Sequence, residues 1–272
     1  MSDDPHRAPG STTPAPAPET DLQPDKPHSA RVWNYWLGGR DNFPADQELG
    51  DLVAAGYPQI PELARASRAF QRRAVRHLAA DAGVRQFLDV GTGLPAVDST
   101  HEVAQSAAPG SRVVYVDNDP LVLTHARALL TSAPGGTTDY VHADLTDHAA
   151  VLEAASRTLD LSQPVALLLL STLGHITAEA AAELVPAYTR RLAPGSHLVL
   201  CDTLATPQTL RAQEAYAEGD TEPYLVRQPD EITACAAGME LLEPGFVPID
   251  RWRPDGSDGV PVDQWGFVAV RR

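Results

Sequence analysis

Cysteine is scarce in this chain: two of 272 residues, Cys201 and Cys235. Two thiols cannot build a disulfide framework or a cysteine-rich zinc site. Cys201 stands in an apolar, strand-like run, where buried packing is its expected role. Long apolar runs are also missing. The longest, Val165 to Leu170, has the length of a strand and falls far short of a membrane span. The opening residues MSDDPHRAPG lack the charged and apolar regions of a signal peptide, so a cytoplasmic protein is expected. Basic residues are in deficit, 21 against 36 acidic, for a formal net charge of -15. Such a surface repels phosphate backbones, so a nucleic-acid partner is not expected, and no membrane partner either. The neighbouring Arg72, Arg73 and Arg76 read as the solvated face of a helix. No internal repeat is present, no metal-binding cluster stands out, and the oligomeric state is left open.

What is present is enough for a sizeable core: hydrophobic residues make up 43% of the chain. Residues 1–27 are rich in Pro, Ala, Ser, Thr and Asp, and are expected to form a disordered tail because they bury too little to offset ordering entropy. Residues 28–272 read as a single domain. Within it, 28–60 is expected to cap the site, and the polar stretch 203–228 to be an insertion or cover. From Pro61 to Ala82 apolar residues recur at spacings of three and four, the pattern of a helix that Gly83 would end. Strand-like runs then follow at Gln86–Val90, Arg112–Val116, Asp139–His142, Val165–Leu170 and His197–Cys201. Helical stretches fall between them, near Ser99–Ala107, Leu121–Leu130, Ala149–Thr158 and Ala178–Leu192. This alternation predicts an α/β fold with a mostly parallel sheet covered on both faces. A helix at Pro229–Gly238 and two strands, Glu240–Arg253 and Gln264–Arg271, predict an antiparallel pair at the end of the chain.

In such sheets ligands bind beyond the carboxyl ends of the strands. After the first run stands Asp89-Val90-Gly91-Thr92-Gly93-Leu94-Pro95-Ala96. Its glycines let the backbone turn sharply and approach a ligand. Alone, this turn also fits the dinucleotide fingerprint. Two features argue against a dinucleotide. Asp89 would repel a pyrophosphate but attract the ammonium of S-adenosylmethionine. Pro95, expected in the first turn of the next helix, would remove a backbone donor that a phosphate wants. The second run ends Asp117-Asn118-Asp119-Pro120. Asp117 can accept from both ribose hydroxyls, while Asp119 is expected to cap the following helix. The third run ends Ala143-Asp144-Leu145, where Asp144 can accept from the adenine amine or simply cap a helix after Thr146. The fourth ends Ser171-Thr172-Leu173-Gly174-His175, beside the expected position of a transferred methyl group. His175 is the candidate general base there. It reads equally as a histidine satisfied by a backbone carbonyl, and methyl transfer from a sulfonium needs no base when positioning suffices.

Together these segments resemble class I S-adenosylmethionine-dependent methyltransferases. More narrowly, the chain resembles the actinobacterial S-adenosyl methyltransferase family formerly labelled a domain of unknown function. The likeness runs through SARVWNYWLGGRDNF (Ser29 to Phe43), FLDVGTGLP with HEVAQ, VVYVDNDPLVLTHARALL, PVALLLLSTLGHI, and the late Glu243-Pro244-Gly245 and Trp252-Arg253-Pro254. It implies a Rossmann-like, seven-stranded sheet and a small-molecule acceptor. The cofactor site is expected to draw on Asp89, Gly91, Thr92, Gly93, Asp117, Asn118, Asp144, Leu145 and Ser171. Arg31 or Arg40 is expected to pair with the cofactor's carboxylate. Trp33, Tyr35 and Trp36 would cover the cofactor or face the sulfonium by cation–π attraction, unless they are simple packing. The sequence departs from the usual pattern at Pro95, where a third glycine is common, and at Gly174, where a bulkier residue is common. The alternatives are a cofactor-binding regulatory module that transfers nothing, and an NAD(P)-dependent oxidoreductase.

Overall fold

A computed structural model describes residues 23–95, 97–122, 124, 132–256 and 260–272. Of the expected tail, residues 23–27 form a turn closed by the Lys26 amide donating to the Gln23 carbonyl at 3.1 Å, and residues 1–22 lie outside the described residues. The helix expected at Leu121–Leu130 also falls mostly outside them.

The first three helices are α1 (Ser29–Trp36), α2 (Pro44–Gly56) and α3 (Ile60–Ala80). In α3 the buried residues Leu63, Phe70, Ala74, Val75 and Leu78 form one apolar stripe, the reason the segment is helical and the face it packs inward. Asp81 closes it, and Gly83 turns the chain with a φ of 73°. There follow β1 (Gln86–Val90), α4 (Thr100–Ala107), β2 (Arg112–Asp117), β3 (Thr137–His142), α5 (His148–Ala155), β4 (Ala166–Leu170) and α6 (Ala178–Thr189). The chain ends with β5 (His197–Thr203), α7 (Pro207–Ala217), α8 (Pro229–Ala234), β6 (Glu240–Leu241), β7 (Val247–Pro248) and β8 (Gln264–Val270).

The strands form one eight-stranded sheet in the order β3-β2-β1-β4-β5-β8-β6, with β7 also on β8. The first five are parallel and β8 runs antiparallel to β5. Seven strands were expected. The extra one arises because the strand beside β8 is split: β6 pairs Leu241 with Ala269, β7 pairs Val247 with Gly266, and Pro244-Gly245 interrupts them. Proline offers no ladder donor, and Gly245 adopts a φ of 87°, outside strand geometry.

Alternate strand residues serve opposite faces. Phe87, Val113, Leu168 and Val199 pack with α1 to α4. Leu88, Val114, Leu167 and Leu198 pack with α5, α6 and α8. Burial on both faces explains why the central β4 reads as an unbroken apolar run, while β3 at the sheet edge is half-buried and more polar. Both cysteines are buried and free, and burial pushes the Cys201 thiol up to about 12, so it is packing rather than chemistry. No helix among the described residues is long and apolar enough to cross a membrane.

Candidate active site

The sheet order reverses between β1 and β4, and a cavity of about 380 Å³ opens there, beyond the strands' carboxyl ends. The turn after β1 forms its floor. Gly91 and Gly93 have φ of 73° and 66°. The Gly91 and Thr92 amides donate to the Val116 carbonyl at 2.8 and 3.3 Å, which folds the turn over the end of β2. A Cβ at Gly91 would overlap the Thr172 side chain, whereas one at Gly93 meets only Arg68 Nη2 at 3.9 Å. Gly91→Ala is therefore expected to lower unfolding stability by about 3 kcal/mol, from overpacking plus left-handed strain. Gly93→Ala should cost only about 1 kcal/mol from strain alone; urea denaturation of the two variants checks the order. The helix after the turn, α4, begins at Thr100, where the pattern placed it, but Pro95 is not in its first turn. Ser99 caps it, its amide donating to Glu102 Oε2 at 2.9 Å, so Pro95 stands in the preceding loop and removes no donor from a helix terminus.

Three carboxylates from three strand ends line this cavity. Asp89 is 3% exposed; its Oδ2 accepts from Thr100 Oγ1 at 2.6 Å and Gln71 Nε2 at 3.3 Å. Burial pushes its carboxyl up to about 6, against the lowering by the Thr100 hydroxyl and the Arg68 charge. Asp117 Oδ2 accepts the Gly93 amide at 2.8 Å and Oδ1 the Asp119 amide at 2.9 Å. Burial raises its carboxyl as well, and those two amides counter the effect. Asp119 does act as the local cap, accepting from the Leu121 amide at 2.8 Å. Asp144 is exposed, and its Oδ1 accepts from the amide and hydroxyl of Thr146, both at 2.7 Å. It does not cap α5; Asp147 does, accepting from the Ala150 amide at 3.0 Å. Asn118, Leu145 and Ser171 also line the cavity. Ser171 holds a φ of 57°, unusual for a residue with a side chain, and its hydroxyl accepts from Gln264 Nε2 at 2.6 Å.

Of the N-terminal residues expected to reach the cofactor, Arg31, Tyr35 and Arg40 do not line the cavity. Arg31 is 3% exposed and lies between Asp46 and Asp119, with Nε 3.8 and 3.5 Å from their oxygens. A buried guanidinium is held by such partners and ties α1 to α2 and to the end of β2. Tyr35 turns outward and donates to Asp51 at 2.7 Å. Arg40 is exposed. Trp33 and Trp36 do line the cavity, edge to face at 5.9 Å, with Trp36 Nε1 donating to the Gly50 carbonyl at 3.1 Å.

The cation that does line it is Arg68, which sequence reasoning passed over. It projects from α3, donates to Gln71 Oε1 at 3.0 Å and to the Thr92 carbonyl at 3.4 Å, and leaves Nε buried without a hydrogen bond. Its spacing to Gln71 looks like an ordinary helix face; only the packing of α3 on the glycine turn reveals it.

His175 lines the cavity in a short 3-10 turn, Leu173–His175. Its Nδ1 lies 3.0 Å from the Pro223 carbonyl. A carbonyl can only accept, so Nδ1 carries the hydrogen and Nε2 a free lone pair in the neutral ring. A backbone carbonyl thus satisfies this histidine through Nδ1, and Nε2 keeps its lone pair. Burial lowers its pKa below the ordinary 6.5, favouring that neutral form. The Tyr224 ring packs on it edge to face at 5.4 Å. A Cβ at Gly174 would come within 2.5 Å of that ring, which explains the small residue there. Tyr224 in turn donates to Asp202 Oδ1 at 3.0 Å, and Arg227 Nε donates to Asp202 Oδ2 at 2.9 Å. Arg227 also donates to the carbonyls of Leu173 and Ile176. The segment after α7 is thus fastened over the cavity by a buried network.

Strand order and the place of the cavity put the chain among class I methyltransferase folds. An O-methyltransferase family 2 protein from Planctomyces limnophilus, solved with apigenin, shares that fold at a TM-score of 0.50 and 18% identity, covering 84% of this chain and 66% of that one. The family itself is narrower: residues 15–270 match the S-adenosyl methyltransferase family, and the chain belongs to it. A DUF574 family protein from Streptomyces avermitilis is 41% identical over 92% of this chain and all of that one, with a TM-score of 0.88. A proposed methyltransferase from Thermobifida fusca is 37% identical over 95% of this chain and 100% of its own, at 0.84. No curated protein matches. The cofactor is S-adenosylmethionine, and the residues present fit it. A cradle closed to any Cβ at Gly91 lies beside three carboxylates suited to a cationic, adenosine-bearing ligand. The dinucleotide alternative finds no support.

Proposed function

We propose that this chain transfers the methyl group of S-adenosylmethionine to a small-molecule acceptor in the cytoplasm. One observation carries the reading: strand-end carboxylates at Asp89, Asp117 and Asp144 converge on one cavity with the glycine turn. Asp89 would attract the cofactor's ammonium, Asp117 the ribose hydroxyls and Asp144 the adenine amine, with Gly91, Thr92, Gly93, Asn118, Leu145 and Ser171 shaping the cradle. Arg68, in place of Arg31 or Arg40, would take the carboxylate. When bound, the cofactor supplies an activated methyl group on sulfur; the protein orients it and excludes water. His175 would accept the acceptor's proton at Nε2. Residues 28–272 act as one methyltransferase domain, with 28–60 capping the site and 203–228 covering it. Calorimetry with S-adenosylhomocysteine tests the cofactor site, and absence of binding would sink the reading. Thermal-shift comparison with NAD should show stabilisation by the former alone.

The reading also fixes a pH dependence. Asp89's carboxyl, pushed up to about 6 by burial, lies above its ordinary 3.8. The folded protein therefore holds this proton more tightly than the unfolded chain, and this group lowers stability as pH rises from about 4 to 6. A bound ammonium favours the ionised form. Affinity for S-adenosylhomocysteine should then fall below pH 6, by up to about tenfold per unit. Calorimetry at pH 5 and pH 7 measures it, and Asp89→Asn should bind weakly at both while melting higher at pH 7.

A further inference from the structure

The cavity has two chemically different halves. Strand ends supply the polar half. Helices and the cover supply the other: Trp33 and Trp36 from α1, Tyr216 from the end of α7, Tyr224 and His175. Tyr216, Tyr224 and His175 form a continuous wall of rings, with centroids 6.3 and 5.4 Å apart, each pair steeply inclined. Tyr216 is 5% exposed, yet its hydroxyl makes no well-formed hydrogen bond among the described residues, Thr221 and Asp46 being the groups that act on it. A buried phenol hydroxyl without a partner costs free energy unless a ligand supplies one. We propose that this half is the acceptor's subsite, and that it takes a planar aromatic hydroxyl compound, bonded at its far edge by Tyr216 and methylated on the oxygen facing His175. This rests on the methyltransferase reading above.

The side chains discriminate among acceptor classes. A carboxylate needs no base and would seek a cation, but Arg68 belongs to the polar half, engaged with the glycine turn. An aliphatic amine enters protonated and would need its charge matched. The titratable groups acting on His175 are His28 on the N-terminal side and Glu222, which is exposed on the cover segment. A neutral phenol suits apolar rings and needs what His175 offers, a lone pair on a pinned, neutral imidazole. In the step, the acceptor oxygen bonds to the methyl carbon as the carbon–sulfur bond breaks. That bond's electron pair stays on sulfur, giving the neutral thioether. The O–H proton passes to Nε2 of His175, and the imidazolium then releases it to solvent.

The test uses the full chain with 2-naphthol, and 2-naphthoate as the anionic comparison. Calorimetry should show 2-naphthol binding to the protein saturated with S-adenosylhomocysteine at least about tenfold more tightly than 2-naphthoate. Tyr216→Phe should weaken naphthalene-2,6-diol, which carries a second hydroxyl at its far edge, about tenfold, one hydrogen bond's worth, and leave the binding of 2-naphthol and of S-adenosylhomocysteine unchanged. With S-adenosylmethionine, 2-naphthol should be methylated on oxygen. His175→Gln should slow that at least about 100-fold without weakening 2-naphthol binding. Equal binding of the two probes, binding without turnover, or full activity in His175→Gln overturns the proposal. Failure of S-adenosylhomocysteine to bind overturns the underlying function instead.

Discussion

Asp117→Ala is expected to weaken S-adenosylhomocysteine binding by two orders of magnitude or more while the chain stays folded. On the proposed reading the carboxylate has two tasks. In the free protein it accepts the amides of Gly93 and Asp119, at 2.8 and 2.9 Å, and so holds the glycine turn against the end of β2. With ligand present, its remaining lone pairs would accept from the ribose. Hydrogen bonds to a charged acceptor contribute about 1.5–3 kcal/mol each, so two ribose contacts amount to about 3–6 kcal/mol, on the order of 100- to 10,000-fold. Asp117→Asn keeps an acceptor oxygen and should fall between. Titration calorimetry reads the loss, and circular dichroism reports whether the fold survives. Wild-type affinity in Asp117→Ala would remove the ribose role altogether.

Arg227→Ala should cost about 3–5 kcal/mol of stability, because it strands the buried Asp202 carboxylate without its cation. Arg227 and Asp202 are both almost wholly enclosed, so solvent cannot take over for the lost partner. Burial already raises the Asp202 carboxyl, and the Arg227 charge is the largest influence opposing it. Asp202→Ala should cost a comparable amount for the reverse reason, a stranded guanidinium. The double variant should lose clearly less than the sum of the two, since neither ion is then left alone. Urea denaturation of the four proteins completes the cycle, and additive losses would show that the ions do not depend on one another.

Much of the fold is legible in the sequence, for a physical reason. Strands such as Ala166–Leu170 are buried on both faces, so they read as apolar runs whose limits the structure moves by a residue or two. Helices α3 and α6 carry their own apolar stripe and end signals. The cover helices are different. In α2, Leu49 and Val53 meet α1 and α7 rather than the sheet, and Leu49 packs near Gly219. That packing is visible only once distant segments meet, and the polar stretch 203–228 hides a helix for the same reason. The site divides in the same way. Residues at strand ends are found by position along the chain. Arg68 reaches the glycine turn and Gln71 the Asp89 carboxylate sideways from α3, 24 and 18 positions earlier, and no local pattern marks them. Arg31 misleads because a lone arginine beside aromatics looks available, while Asp46 and Asp119, far apart in sequence, already hold it.

The network around Arg227 has one more consequence. The Leu225 amide donates to the Gly174 carbonyl at 2.7 Å and the Arg227 amide to the Thr203 carbonyl at 3.0 Å, so the roof is bonded to the ends of the central strands. Lifting it means exposing a buried ion pair and breaking into the sheet's own margin. In the language of hydrogen exchange, roof and sheet belong to one cooperative unit rather than a hinged flap on a rigid base. Asn118 and Asp144, by contrast, line the same cavity and are exposed to solvent.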